Sequence, residues 1–142
     1  MNRINLDQAN RIIAGAAAKG AALKLKPLSV VVLDPGGHVI AFQRQDGAST
    51  MRFEIAAGKA SGALALGVSS RKIAEMAAER PGFVASLGAL SLRGVIPAAG
   101  GVLVVDGSGD VLGAVGITGD SSDNDEACAL AGIEAAGLKV QG

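Results

Sequence analysis

Residues 31–41 read VVLDPGGHVIA, and residues 103–113 repeat the same pattern as LVVDGSGDVLG. Each copy is an apolar run rich in β-branched residues, then an Asp-led turn with glycine, then a second apolar run. Glycine supplies the positive φ that a tight hairpin turn needs, and β-branched apolar runs are typical of strands. The repeat therefore predicts two β-hairpins, which contribute four strands to one sheet.

The composition indicates small, closely packed elements. The chain has 142 residues, so we expect a single domain over residues 1–142. It is 49% hydrophobic but only 2% aromatic, with no Trp or Tyr, and it contains 21 glycines. Small side chains let elements approach closely but bury little area each. We therefore expect tight helix-on-sheet packing, and stability that draws on contacts within a homo-oligomer.

Charge and cysteine content argue against several classes of partner. The 13 basic and 13 acidic residues leave no basic block for a phosphate backbone, so we expect no nucleic-acid partner. The single Cys128 excludes an internal disulfide and a cysteine-based metal cluster. The N-terminus lacks a signal-peptide pattern, and uncharged stretches such as residues 81–92 are too short to cross a bilayer. We expect a cytoplasmic protein without a membrane partner.

The segments around the hairpins predict helices. Apolar residues at helical spacing follow Asn5, a favourable N-cap, and Pro27 ends any continuation of that first helix. Predicted helices cover residues 6–24, 51–66, 70–79 and 123–136; predicted strands cover 29–34, 38–44, 94–97, 101–106 and 111–117; residues 82–90 are a loop or a short helix. This order predicts an α+β fold with one antiparallel sheet covered by helices.

His38 is the only histidine of the chain and follows the turn of the first hairpin. An imidazole can ligate haem iron or act as a general base. A polar turn residue is the alternative interpretation, because Asp110 takes the same position in the second copy.

The third predicted element carries a small group of charges. Arg52 and Lys59 are seven residues apart on its helical pattern and therefore share a face. Two such cations can hold the carboxylates of a ligand, with Arg giving bidentate geometry, and Glu54 lies on a neighbouring stripe. An ordinary solvated helix face is the alternative.

The most polar stretch, residues 118–126, joins the last strand of the second hairpin to the last helix. Helix capping explains the polar character of this stretch best, because Ser122 to Asp125 has the pattern of a capping box. At the earlier helix over 51–66, Ser49 or Thr50 is the expected cap. The acidic spacing does not fit a calcium loop. The adjacent Gly100 and Gly101 allow either a close ligand approach or a bulge.

Several of these segments together resemble the GlcG/HbpS family, the haem-degrading domain family, which also forms the C-terminal domain of PduO-type corrinoid adenosyltransferases. The resemblance covers residues 5–138. It rests on Gly100 to Val104, Gly113 to Gly119, Asp125-Glu126, Ala131-Gly132, Asp46 to Ala48 and Lys59-Ala60. It implies a profilin-like fold, with a five-stranded antiparallel sheet flanked by helices on both faces, a homo-oligomer, and binding of haem or iron.

Three functions follow as hypotheses. The first is a small-molecule binding protein that holds haem or another carboxylated ligand between sheet and helices, with His38 as the possible iron ligand. Its expected ligand-binding residues are Arg52, Phe53, Lys59, Gly100, Gly101, Thr118 and Gly119. The second is a lyase, isomerase or hydrolase acting on a small carboxylated metabolite, with Glu54 or Asp125 as acid or base. The third is a ligand-free assembly subunit.

The alignment of the two hairpin copies also predicts where a site would lie. Asp46-Gly47 in the first copy falls opposite Thr118-Gly119 in the second, and in both places a strand passes into a helix. We therefore expect a site at these two strand-to-helix junctions rather than at the hairpin turns.

Overall fold

A computed structural model describes residues 2–142 of the protein. The helices are α1 Leu6–Ala22, α2 Arg52–Leu66, α3 Ser70–Glu79, α4 Pro81–Leu87 and α5 Ser122–Ala135, with a 3₁₀ turn at Gly88–Leu90. The strands are β1 Ser29–Leu33, β2 Val39–Arg44, β3 Gly101–Val105, β4 Val111–Thr118 and β5 Lys139–Val140.

The two repeated segments form the two hairpins, as predicted. The sheet has the order β2-β1-β4-β3-β5, and every neighbouring pair is antiparallel. The hairpins β1–β2 and β3–β4 lie side by side and are joined through β1 and β4. The expected α+β fold with a five-stranded antiparallel sheet is confirmed.

The two hairpin turns are built in the same way. The carboxylate of Asp34 accepts backbone N–H bonds from Gly36 and His38, at 2.9 and 3.0 Å. In the second turn Asp106 accepts from Ser108 and Asp110, at 2.8 and 3.0 Å. An aspartate that bonds the turn backbone two and four residues later explains why both copies begin their turn with Asp.

Helices cover both faces of the sheet. One core joins α1 and α5 to alternate residues of the central strands, including Val30, Val32, Val115 and Ile117. The other joins the alanine-rich face of α2 to the opposite side of the same strands. Small residues bring α2 very close: a Cβ placed on Gly116 of β4 would lie 2.0 Å from the carbonyl oxygen of Ala56.

The prediction of a strand at residues 94–97 is wrong, and the fifth strand is Lys139–Val140 instead. Residues 94–97 form a loop that packs on α2. Val95 and Ile96 fill the space left by two helix glycines, with Ile96 Cγ1 2.5 Å from the position of a Cβ on Gly58. Their β-branched pattern therefore reflects packing against a helix and not strand pairing.

Two further expectations concern helix ends. Asn5 caps α1 as predicted and also forms a capping box with Gln8, whereas α5 is capped by Ser121, one residue before the predicted position. Neither Ser49 nor Thr50 caps α2; its N-cap is Met51, which provides no side-chain hydrogen bond. The helices of residues 2–142 include none that is both long and apolar enough to cross a membrane.

Candidate functional site

The two strand-to-helix junctions meet at one end of the sheet and border an open cavity of about 190 Å³. The cavity is lined by Lys26, Pro27, Gly47, Ala48, Ser49, Arg52 and Gly119. It thus brings together Gly47 and Gly119, which follow β2 and β4, and adds the loop between α1 and β1. We call it the junction cavity.

Arg52, the first residue of α2, is fixed at the wall of the junction cavity. Its Nε donates to Ser49 Oγ at 3.0 Å, and its Nη1 donates to Thr118 Oγ1 at 2.9 Å. Within residues 2–142, no carboxylate oxygen lies within 4.0 Å of this guanidinium. The side chain is therefore held in place by neutral hydroxyls, and it keeps its charge and further N–H groups for another acceptor.

The local sequence explains this arrangement. Gly47 and Gly119 have φ values of 86° and 147°, which favour glycine, and a Cβ on Gly119 would lie 2.2 Å from the carbonyl oxygen of Pro27. Gln45 secures the same corner, because its Oε1 accepts the N–H of Leu28 at 2.8 Å. The hydroxyl of Ser49, expected at the helix cap, orients Arg52 instead.

Lys26 is a cationic lining residue that the sequence analysis did not identify. It lies just after α1, where no motif marks it, and its backbone N–H donates to Asp120 Oδ1 at 3.1 Å. Asp120 also accepts from the N–H of Ser121 and from the Asn124 side chain, both at 2.8 Å. Asp120 thereby ties the α1–β1 loop, which carries Lys26 and Pro27, to the start of α5.

These bonds make acid stability depend on Asp120. The side-chain bond from Asn124, followed by the backbone bonds from Ser121 and Lys26, lowers the pKa of Asp120 from 3.8 to about 2. A carboxyl whose pKa is lower in the folded state contributes stability above its unfolded pKa and loses it as the pH falls through its folded pKa. We therefore expect Asp120→Asn to reduce the loss of unfolding free energy between pH 4 and pH 2, as measured by urea denaturation across that range. Asp110→Asn, on an exposed turn, is the matched control, and an unchanged acid profile of the Asp120 variant would contradict this role.

Lys59 and Asp125 form an ion pair inside the protein. Lys59 Nζ lies 3.2 Å from Asp125 Oδ2 and also donates to the carbonyl oxygen of Ile117 at 3.0 Å, while Asp125 Oδ1 accepts the N–H of Asp120 at 3.0 Å. The two side chains are only 3% and 2% exposed. Lys59 and Arg52 were expected to hold one ligand together, but the ammonium of Lys59 is used within the core.

Burial dominates the titration of this pair. It lowers the pKa of Lys59 below 10.5 and raises the pKa of Asp125 above 3.8, although each charge stabilises the other. The pair links α2 to the start of α5 and holds the segment after Thr118 in place. Its position is that of a structural support behind the junction cavity.

Gly100 and Gly101 pack against α2 and do not line the junction cavity. A Cβ on Gly101 would lie 2.3 Å from the carbonyl oxygen of Lys59, and one on Gly100 would lie 2.9 Å from Lys59 Nζ. The pocket expected between sheet and helix is closed at this point, because the glycines allow direct contact. Phe53 makes an edge-on contact with Phe42 of β2, with ring centroids 4.9 Å apart.

His38 lies at the hairpin-turn end of the sheet, opposite to the junction cavity. Its side chain is 77% exposed, and its Nδ1 lies 3.3 Å from the Asp34 carboxylate. β1 separates the two places, since Asp34 follows its last residue and Ser29 at its start pairs with Thr118. The structure therefore does not bring His38 together with Arg52.

The two residues expected as acid or base, Glu54 and Asp125, have different environments. Glu54 is exposed on α2, whereas Asp125 is 1% exposed and paired with Lys59.

Burial raises the pKa of the Cys128 thiol, which is enclosed by the core between α1 and α5. Among residues 2–142 there is no group of three or more His, Cys, Asp or Glu side chains arranged to hold a metal ion.

Solved structures similar to this one share its fold. The structure of a PduOC:heme complex superposes with a TM-score of 0.86 at 21% identity, covering 99% of both chains. Klebsiella pneumoniae protein ORFY matches with a TM-score of 0.82 at 26% identity, covering 94% of this chain and 90% of its own. HbpS matches with a TM-score of 0.79 at 26% identity, covering 93% of this chain and 89% of its own.

Sequence comparison places the chain in a family. No curated protein matches it. The family model described as haem degrading protein HbpS-like matches residues 4–134, which is most of the chain. The chain therefore belongs to the HbpS-like family, in agreement with the resemblance seen in its sequence.

Proposed function

We propose that this protein binds a small carboxylated molecule, with a carboxylate of the ligand in the junction cavity. The observation that carries the proposal is the state of Arg52: two hydroxyls orient its guanidinium, and it borders a cavity without a carboxylate partner among the described residues. A pre-oriented guanidinium offers a carboxylate two parallel charge-assisted hydrogen bonds without further ordering of the side chain.

The surroundings of Arg52 favour an anion over a cation. Lys26 adds a second positive charge to the cavity wall. Two acidic residues adjoin lining glycines, Asp46 before Gly47 and Asp120 after Gly119, and Asp120 is already engaged by three N–H donors. Neither aspartate is among the described lining residues, so the two basic residues Arg52 and Lys26 set the charge of the cavity wall.

Haem is a candidate ligand, supported by membership of the HbpS-like family and by the heme bound to the structurally similar PduOC. The residues present fit one end of it: Arg52 and Lys26 suit the carboxylate of a propionate. They do not fit the rest in the same way, because a cavity of about 190 Å³ does not enclose a macrocycle and His38 is at the opposite end of the sheet. We therefore propose only that this chain contacts a carboxylate of its ligand, and we propose no chemistry at the haem iron.

Arg52 variants test the proposal. We expect Arg52→Ala to weaken binding of hemin and of hexanoate by about 10- to 100-fold, which is the effect of losing charge-assisted hydrogen bonds. Arg52→Lys keeps the charge but not the paired geometry, so its affinity for each ligand should lie between those of wild type and Arg52→Ala. Absorbance titration measures hemin binding, and calorimetry measures hexanoate binding.

Arg11→Ala, an exposed arginine of α1, is the matched control and should bind as wild type. Binding of hexanoate without binding of hemin would remove haem as the ligand and retain the carboxylate site. If wild type binds neither molecule, or if Arg52→Ala binds both as tightly as wild type, the proposal is wrong.

A further inference from the structure

Another open cavity, of about 240 Å³, lies at the hairpin-turn end of the sheet. Three segments that are distant in sequence meet there: the first hairpin turn, the second half of α2 and the loop before β3. Its lining includes Gly37 of the turn, Ser61, Leu64 and Ala65 of α2, and Ser91 and Arg93 of the loop. We call it the turn cavity. It shares no lining residue with the junction cavity.

Arg93 is oriented at the wall of the turn cavity without an acidic partner. Its Nε donates to the carbonyl oxygen of Gly37 at 3.0 Å. Within residues 2–142, no carboxylate oxygen lies within 4.0 Å of this guanidinium. A neutral carbonyl leaves the positive charge uncompensated, so the terminal amino groups of Arg93 keep their N–H donors for an acceptor in the cavity.

Two serine hydroxyls line the same cavity and are only weakly bonded within the protein. Ser61 Oγ lies 3.3 Å from Ser91 Oγ, and Ser91 Oγ donates to the carbonyl oxygen of Gly94 at 3.3 Å. Hydrogen bonds of hydroxyl groups are usually about 2.5–3.0 Å long, so both contacts are long. Ser61 Oγ has no other hydrogen-bond partner in the described part of the chain, and its hydroxyl can therefore turn toward a ligand.

The remaining wall of the turn cavity is mainly apolar. Leu64, Ala65 and the 94%-exposed Leu92 contribute to it. Asp34, the acidic residue of the turn, is not among the described lining residues, and its Oδ1 accepts two backbone N–H groups of the turn. The turn cavity thus combines one positive charge, two hydroxyls and an apolar side.

We propose that the turn cavity binds the phosphate group of a small phosphomonoester, as a second site that does not depend on the junction cavity. A guanidinium can hold two phosphate oxygens in a bidentate pair, and a third oxygen remains for the hydroxyl of Ser61. A carboxylate has only two oxygens, so it would engage Arg93 without using Ser61. The organic part of the ester would lie on the apolar side formed by Leu64 and Leu92.

Phenyl phosphate and benzoate test the class of ligand, because both carry one anionic group on the same ring. Titration of ¹⁵N-labelled protein, followed through the backbone amide of Gly37, reports binding at the turn cavity. We expect saturable shifts with phenyl phosphate at about tenfold lower concentration than with benzoate. Arg93→Ala should weaken phenyl phosphate binding by about 10- to 100-fold, and Ser61→Ala by about 2- to 10-fold without an effect on benzoate.

Two controls accompany these variants. Arg11→Ala removes an exposed arginine of α1 and should bind phenyl phosphate as wild type, which accounts for the general attraction of an anion. Arg93→Ala should bind hexanoate at the junction cavity as wild type, which shows that the variant is folded.

Ala65→Phe tests the cavity itself without removing a hydrogen bond. Ala65 is exposed on α2, so we expect a phenylalanine there to keep the thermal midpoint, to occupy the turn cavity and to abolish the Gly37 shift. Ala18→Phe, at an exposed position of α1, is the matched substitution and should bind phenyl phosphate as wild type.

The proposal is wrong if phenyl phosphate does not shift the Gly37 amide in wild type, or if Arg93→Ala or Ala65→Phe binds it as tightly as wild type. Equal affinity for benzoate and phenyl phosphate would overturn the assignment of the cavity to a phosphate group. None of these results affects the proposed function, which depends on hexanoate binding at Arg52.

Discussion

Asp125→Ala is expected to lower the free energy of unfolding by about 3–5 kcal/mol, because it leaves the ammonium of Lys59 buried without its counter-charge. The N–H of Asp120 loses its acceptor in the same change. Urea denaturation at pH 7 measures the effect. The variant should also regain stability as the pH rises toward 10.5, the ordinary lysine pKa. Burial lowers the pKa of Lys59 in the folded state, so its cost to folding is smallest once Lys59 is neutral in both the folded and the unfolded protein.

The double variant Lys59→Met/Asp125→Leu is the control for this prediction. Replacing both partners of a buried pair by apolar groups of similar size is often neutral or stabilising, so we expect it to be clearly more stable than Asp125→Ala. If the free energy of unfolding of Asp125→Ala lies within about 1 kcal/mol of wild type, the loss is that of an exposed pair. Lys59 would then reach water, and the pair would not support the segment after Thr118.

Gly116→Ala is expected to destabilise the protein by about 3 kcal/mol, at the upper end of the usual range for overpacking. The new methyl would lie 2.0 Å from the carbonyl oxygen of Ala56, a backbone atom of α2 that cannot move without shifting the helix. Because α2 also carries Arg52, the same shift should weaken hexanoate binding. Thermal unfolding and calorimetry measure the two effects.

Gly107→Ala is the matched substitution, because a Cβ there meets no atom within 4 Å and its φ is not in the left-handed region. It should leave both stability and binding close to wild type. Equal stability of the two variants would contradict the close contact between α2 and the sheet.

The junction cavity and the buried Lys59–Asp125 pair are connected through the segment after β4. Thr118 orients Arg52, Gly119 lines the junction cavity, and the N–H of Asp120 is held by Asp125, which is held by Lys59. The buried pair thus supports the cavity wall without touching a ligand.

Most of the fold was predictable because the hairpin repeat carries its own turn chemistry. Asp34 and Asp106 bond their turns through equivalent backbone groups, and such local bonds are visible in sequence. The error at residues 94–97 arose because Val95 and Ile96 look like a strand while they fill space over α2 glycines. β5 is only two residues long, which is too short for a recognisable pattern.

The candidate site was predictable where the chain repeats and unpredictable where distant segments meet. The hairpin alignment pointed to Gly47 and Gly119, and both line one cavity. Lys26 was missed because a bond to Asp120, 94 residues away in sequence, sets its position. Lys59 was expected at a ligand, since the sequence does not reveal that this charged side chain is buried against Asp125.

The central claim is that a carboxylate binds between Gly47 and Gly119 beside Arg52. The most direct test is a titration of ¹⁵N-labelled protein with hexanoate, followed through the backbone amide resonances. We predict saturable shifts of the Gly47 and Gly119 amides in wild type, loss of these shifts in Arg52→Ala, and constant resonances for Gly37 and Gly109 at the hairpin turns. Shifts that persist unchanged in Arg52→Ala, or that appear at the hairpin turns while Gly47 and Gly119 stay constant, would contradict the claim.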